Sequence, residues 1–531
     1  MYLCGKFHTM RARVIILSIF IFTLHCFGEV HIHIDNPETW TTGELAGYIG
    51  QTVVFDAPIV VSSNAGSTLT VSPRRLFTPT NQAYPRSAAY NSVASLNSSG
   101  AMSLNGVYEY HRCGEKIYNL TARVNGTNSL TWVSGEWRGN TREELEAGIP
   151  DVGDYRLLVC TMNLEYYLAA GTGSGSMGPS SYEEHQHQRT KIRKALTRIN
   201  ADLYGFVEIE SGDDALKEIA NDLNDNLSGR NFTIISDGTS PNGTYTKAGF
   251  VYDANKLTPI GKLQEINAKV SNRKKMICFE EKETGERFIF SVNHFKAKSG
   301  SGSGGDANQG DGQGTFNATR VEEAQAVIDH YKKYRQALGE QDILIMGDLN
   351  AYAKEDPVTR LTSNGMLDLH RAFHADSSYS YQFGGLAGYL DHALSNGSLY
   401  PQVTGVSGFH INSDENDRYT YDKSDDYTMF RCSDHDPVIV GLRLDGTKVY
   451  NPSPAINSAE IISGEAGVMT ITNAISETPS YYAIYDMSGV LIEQKEIVST
   501  MQEVELPGKA GVYIVYIYFD GQVYQRKMIV R

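Results

Sequence analysis

Ile343-Leu344-Ile345-Met346-Gly347-Asp348-Leu349-Asn350 is a short apolar run that stops abruptly on a glycine, a carboxylate and an amide. Such a run predicts a strand that delivers Asp348 and Asn350 to the rim of a sheet. Five further segments repeat the device. They are Leu157 to Met162 then Asn163, Leu203 to Val207 then Glu208, Phe288 to Val292 then Asn293-His294, Tyr389-Leu390 then Asp391-His392, and Arg431-Cys432-Ser433 then Asp434-His435-Asp436-Pro437. Helical periodicity over Tyr182 to Asn200 and Thr319 to Gly339 interleaves with these runs, which predicts an α/β domain over 151–445. A single Asp or Asn after a strand is ordinarily a turn former. Six such endings together supply hard oxygen ligands, imidazoles and amide donors, the set needed to drive water onto a phosphodiester.

In this order and wording Asn163, Glu208, Asn293-His294, Gly347-Asp348-Leu349-Asn350, Leu390-Asp391-His392 and Ser433-Asp434-His435-Asp436-Pro437 resemble the endonuclease/exonuclease/phosphatase superfamily, which includes deoxyribonuclease I. Asn293-His294-Phe295-Lys296, Gly310-Asp311-Gly312-Gln313-Gly314, Asn317-Ala318-Thr319-Arg320 and Gly347 through Pro357 are similar to the bacterial extracellular nuclease branch. The resemblance implies a four-layered α/β sandwich, two face-to-face sheets flanked by helices, with its site at one rim. It also implies roles. Glu208 holds Mg²⁺ or Mn²⁺ with Asn163 and Asp434 in or beside its shell; Asp348 orients or deprotonates water; Asn350 donates to a phosphate oxygen. His435, held by Asp391, and His294 serve the two sides of the displacement, in an order the sequence leaves open. Glu210 and Glu218 are both candidates to partner His294.

Asn317 and Arg320 open a helix after a Gly-rich loop and are candidates to grip phosphate, against the alternative that Arg320 is a surface charge. Ca²⁺ is a further candidate ion for Asp306 and Asp311, although their loop lacks a full calcium-loop pattern and a solvent-facing loop is the expectation. His185 and His187 are read as surface residues. The loops 171–178 and 299–314 are too rich in glycine to pack as elements and are expected to be mobile.

The chain has 531 residues, which predicts several domains. Its 47 Lys+Arg against 62 Asp+Glu give a net charge of −15. That argues against a basic, sequence-reading DNA binder but not against a degradative nuclease, where a bound metal supplies local positive charge. Arg11 and Arg13 precede the apolar run Val14 to Leu24, so 1–28 reads as a signal peptide, the run being too short for a membrane anchor. Cys113, Cys160, Cys278 and Cys432 have no zinc spacing; free buried thiols are expected at Cys160 and Cys278, with pairing left open. Residues 30–150 read as a small OB-like β domain and 450–531 as an all-β sandwich without His or Cys. Asn451-Pro452, Ile484 to Gly489, Gly511 to Val515 and Lys527 to Val530 resemble a type A sorting domain of type IX secretion, which implies that machinery as a partner and export to the medium or the outer cell surface.

The sequence therefore predicts a secreted, divalent-metal-dependent phosphodiesterase acting on extracellular nucleic acid, DNA before RNA. Its rivals are a secreted lipid or sugar-phosphate phosphodiesterase on the same fold, and a non-catalytic surface adhesion protein.

Overall fold

The computed structural model describes residues 29–65, 67–168, 177–240, 242–270, 272–445, 460–463, 468–472, 480–497, 501–507, 510–519 and 522–530. The expected signal peptide, most of the loop at 171–178 and the segment Asn451-Pro452-Ser453-Pro454 lie outside these residues.

The central domain is a layered α/β arrangement built on two six-stranded sheets. One runs Phe232–Ile234, Asn242–Asp253, Leu203–Ser211, Leu157–Tyr167, Val438–Leu442, Val403–Gly408. The other runs Leu257–Glu265, Lys274–Glu281, Arg287–His294, Ile343–Asp348, Asp391–Asn396, Met366–Asp368. Val159, Val207 and Phe250 from the first share one core with Phe279, Phe290, Val292 and Met346 from the second. The sheets approach so closely that a Cβ on Gly205 would lie 2.3 Å from Val292. Helices Tyr182–Ile199 and Asp214–Asn226 cover the outer face of the first sheet, where Ile192, Leu196 and Leu216 meet Cys160 and Tyr204. Helices Asn317–Leu338 and Asp356–Thr362 cover the second, with Val327, Tyr331 and Val358 against Ile289 and Ile345. Burial on both faces explains why these strands read as continuous apolar runs rather than alternating ones.

Five strands of the N-terminal domain close into a barrel in the order Ile59–Ala65, Thr68–Ser72, Met102–Asn105, Ser129–Arg138, Lys116–Gly126, the last pairing back to the first. The domain also carries a helix, Ala88–Gly100, that the sequence did not announce. Ser87 caps it, but it buries only Asn97 and Gly100, so it has no apolar stripe to betray it. The C-terminal strands form a small β-sandwich of a three-stranded and a four-stranded sheet. Its Ala483, Tyr485, Ile514 and Tyr516 join the core shared by the central sheets.

Two expectations are corrected. The loop 299–314 is tied down: Asp311 accepts from Arg86 at 2.5 Å, Gln313 donates to Asp356 at 2.9 Å, and Asp306 accepts from the Thr319 amide at 2.8 Å. Asp311 is buried rather than solvent-facing, and both carboxylates are engaged with protein donors. His185 and His187 are buried on different sides of their helix, the first against Tyr167 and Glu218 and the second under the segment Asp426-Tyr427. His185 Nε2 lies 3.0 Å from Glu218 and the His187 ring stacks on Tyr427 at 3.9 Å.

Candidate active site

Register assembles the site. In the second sheet Asn293 pairs with Gly347 and His294 with Asp348 in parallel, while Asp348 pairs with Asp391 antiparallel. His294, Asp348 and Asp391 thus form a row across three neighbouring strands. Gly347 is obligatory there: its φ is +118° and a Cβ would sit 2.2 Å from the Asn293 carbonyl oxygen. In the first sheet Asn163 pairs with Val207, which places Glu208 beside it, and Asp434-His435 precedes the strand that starts next to Thr161. All of these residues meet at one rim. Glu208 and Asn350 hold positive φ of 56° and 46°, as do Glu165 at 49° and Tyr166 at 57°. Asparagine tolerates this backbone, but at Glu165, Tyr166 and Glu208 it carries strain, which places strained backbone at the site as well as elsewhere in the chain.

Asp348 is fixed at both oxygens. Oδ1 accepts from the Asn350 amide at 2.7 Å, and Oδ2 accepts from Asn163 Nδ2 and Asn350 Nδ2, each at 3.2 Å. His435 Nδ1 lies 2.7 Å from Asp391 Oδ2, an oxygen that also accepts from Ser380 Oγ at 2.7 Å. That leaves Nε2 directed between Asp434 at 3.8 Å and Asp348 at 3.9 Å. Opposite it, His294 Nε2 stands 3.6 Å from both Glu208 and Asp348, while its Nδ1 is buried without a hydrogen-bond partner. Glu218, a candidate partner for His294, is instead held by His185, Tyr167 and Arg189.

Crowding dominates the electrostatics. Burial first, then the charge of Asp434, pushes Glu208 up to about 7. Asp348 is likewise raised, by burial above all and by Asp391, against the pull of His435. Burial depresses His294 well below the usual imidazole value, with Arg273 adding to it. For His435 burial also pulls down, but Asp391, Asp434 and Asp348 together outweigh it and raise the imidazole well above its ordinary value. Several carboxylates facing one another with high proton affinity are the donor set a divalent cation satisfies. Asp348, Asp391 and His435 each offer one ligand atom, all within 4.8 Å of one another, so a cation can be held here. This trio differs from the set read from sequence, Asn163, Glu208 and Asp434, which sits against it on the other sheet.

Not every candidate reaches the rim. Arg320 is buried, and its guanidinium donates to the carbonyls of Lys296, Thr315 and Gln313 at 3.1, 2.8 and 2.7 Å. It knits the Gly-rich loop to the strand end instead of facing a phosphate. Asn317 Nδ2 donates to Asp356 at 2.8 Å. In their place the structure supplies cations the sequence reading passed over: Arg273 acts electrostatically on His294 and Glu208, Arg431 on Glu165 and Tyr381. Glu165 was also missed. Its Oε2 is buried without a hydrogen-bond partner, and burial with the charge of Asp434 raises its proton affinity. Its signal was an ionisable residue two places beyond Asn163 in an apolar strand; that of Arg273 was its place at the head of the run Arg273-Lys274-Lys275.

An acid-lined rim with a polarised imidazole on a layered α/β domain defines a metal-dependent phosphodiesterase. Residues 174–435, within the central domain, match the Endonuclease/Exonuclease/phosphatase family. Among solved structures the chain is similar to an endonuclease/exonuclease/phosphatase family protein of Bacteroides thetaiotaomicron, at 18% identity over 54% of this chain and 96% of that one, TM-score 0.38. It is also similar to a mannosyl-6-phosphatase of the same species, at 17% identity over 54% and 99%, TM-score 0.38. The catalytic domain of human Nocturnin follows at 14% identity over 54% and 93%, TM-score 0.36. No curated protein matches the chain in sequence.

Proposed function

We propose that the protein is a secreted nuclease of the bacterial extracellular branch, cutting DNA before RNA as an endonuclease with little sequence preference. The observation that carries this reading is the His435–Asp391 pair aimed across Asp348 and Asp434 at the His294–Glu208 pair. Partly exposed Arg273, Lys296 and Arg431 flank this acidic centre, an arrangement suited to a polyanion whose backbone continues past the scissile phosphate.

Glu208, Asp434 and Asn163 would hold Mg²⁺ or Mn²⁺. Glu208 and Asp434 are open at the rim, 15% and 31% exposed, whereas Asp391 is committed to Ser380 and His435. When bound, the cation neutralises a phosphate oxygen and stabilises charge as phosphorus becomes five-coordinate. Asp348, with its raised proton affinity, takes the proton of the attacking water, and Asn350 donates to phosphate. His435, whose proton affinity Asp391, Asp434 and Asp348 raise, gives its proton to the departing oxygen, and His294, whose proton affinity burial lowers, hydrogen-bonds a phosphate oxygen from the opposite side. The four-layered sandwich fits the superfamily's architecture. For the N-terminal barrel an OB-like reading is supported by its strand order and by the parallel pairing of Met102–Asn105 with Ser129–Arg138. Export through the 1–28 leader and the C-terminal sorting sandwich, to the medium or the outer surface, completes the proposal.

The test is hydrolysis of supercoiled plasmid, single-stranded DNA, RNA, a sugar phosphodiester and sphingomyelin, with Mg²⁺, with Mn²⁺ and with EDTA. Nicking of plasmid that EDTA abolishes is expected. Cleavage of the lipid or sugar substrate alone would retain the chemistry and replace the nuclease.

A further inference from the structure

We propose that the N-terminal barrel is a working part of the site, with Arg75 as a positioning residue that holds the Asp391–His435 pair through Tyr379 and Ser380. The proposal rests on the role given to His435 above.

Arg75 leaves the barrel just after the strand Thr68–Ser72 and enters the central domain. Its guanidinium lies 3.8 Å from the ring centroid of Tyr379, donates to Tyr379 Oη at 2.9 Å and pairs with Asp414. Asp414 is wholly buried and also accepts from Tyr379 Oη and from Asn140 Nδ2, each at 2.8 Å. A buried carboxylate of this kind is tolerable only while its cation stays in place.

The next residue transmits that constraint. Ser380 Oγ donates to the same Asp391 oxygen that holds the His435 imidazole, and accepts from the Leu390 and Asp391 amides at 3.2 Å. The Ser380 carbonyl accepts from the amide of Asp436, the neighbour of His435, at 2.8 Å. Tyr381 then lays its ring 4.6 Å from that of His435. Beyond it the barrel grips the chain again: the Thr78 amide donates to the Ala387 carbonyl at 2.8 Å, and the Ala387 amide to the Leu76 carbonyl at 2.9 Å. The segment 379–388 is therefore braced by the barrel at both ends while its middle carries the contacts that aim the imidazole. A shift of order 1 Å in such a group costs roughly a hundredfold in rate.

The rival view is that Arg75 merely glues two domains together. Arg142 supplies the control. It pairs with Glu415, next to Asp414, at 2.7 Å, and touches neither Tyr379 nor Ser380. Kinetics on bis(p-nitrophenyl) phosphate with Mg²⁺, and the downfield proton resonance shared by His435 and Asp391, are measured on the full chain. Arg75→Met should lower kcat by about 30-fold with KM within about threefold, and shift or abolish the resonance. Tyr379→Phe, which removes one hydroxyl and is the variant to trust should Arg75→Met misfold, should lower kcat about fivefold at nearly constant Tm. Arg142→Met should lower Tm and leave kcat and the resonance unchanged. Wild-type kcat and resonance in both Arg75→Met and Tyr379→Phe overturn the proposal, as does an equal loss of kcat in Arg142→Met. A wild-type chain inert toward phosphodiesters would instead sink the functional reading, and the resonance would still judge the bracing.

Discussion

The two accessory domains dock on the central one by opposite means. The barrel is held by buried charge: Arg75 on Asp414, and Arg112 on Glu415 at 2.6 Å, with both carboxylates fully enclosed. The C-terminal sandwich is held by apolar area, with Ala483, Tyr485, Ile514 and Tyr516 merging into the core beside Leu399 and Tyr400. Apolar burial attracts without direction. A buried ion pair, by contrast, loses its compensation as soon as its geometry changes. The barrel, beside the chemistry, is thus fixed in orientation, whereas the sandwich is merely kept attached.

The sharpest way to break this contrast is at the rim itself. His435→Ala and Asp348→Ala should each lower kcat on plasmid or bis(p-nitrophenyl) phosphate by about a thousandfold, with Tm changed by only a few degrees. A large fall in Tm in either variant would move these residues among the structural ones.

A smaller effect is expected from protons in the metal-free protein. Glu208 is raised from 4.5 to about 7 in the folded state, so the fold binds more protons there than the unfolded chain does. Its contribution is therefore most favourable below pH 4.5 and is lost as pH rises toward 7 and beyond. Denaturant melts at pH 5 and pH 8 should give wild type a larger drop in stability than Glu208→Gln, by up to about 3 kcal/mol. Saturating Mg²⁺ should erase the difference, and a Gln variant with the wild-type pH slope would remove Glu208 as its origin.

Least of all should turnover respond to the apolar docking. Tyr516→Ala is expected to cost about 3 kcal/mol of stability while kcat stays within twofold. A tenfold fall in kcat would mean that the sandwich, like the barrel, reaches the site.

How much of this was legible beforehand depended on whether a feature is local. The strands that carry Asn163, Glu208, His294 and Asp348 were legible because double-sided burial leaves an uninterrupted apolar run and the polar residue that breaks it stands out, although the first two strands run on to Tyr167 and Ser211. The barrel's helix was not, since Ala88–Gly100 packs by few contacts and its sequence is merely small and polar. Arg320 was misjudged for a different reason. A helix-opening arginine beside a glycine-rich loop reads as a phosphate grip, but the loop's own carbonyls were the nearer acceptors. Glu165 and Arg273 carried weaker signals, a lone carboxylate within an apolar strand and the head of a basic run, and meet the site through a left-handed backbone turn and through sheet packing.

Among the described residues the fold encloses four thiols. Cys113, Cys160, Cys278 and Cys432 are all buried and unpaired, and desolvation raises every one of them, Cys113, Cys278 and Cys432 to about 12. Native, they are poor nucleophiles, so alkylation waits for the surrounding structure to open. Cys113 borders the barrel's clasp, Cys160 and Cys278 sit one in each sheet, and Cys432 lies beside the rim. The molecule therefore carries its own set of clocks, each timing the breathing of a different neighbourhood, with the C-terminal sandwich the one territory that keeps no time.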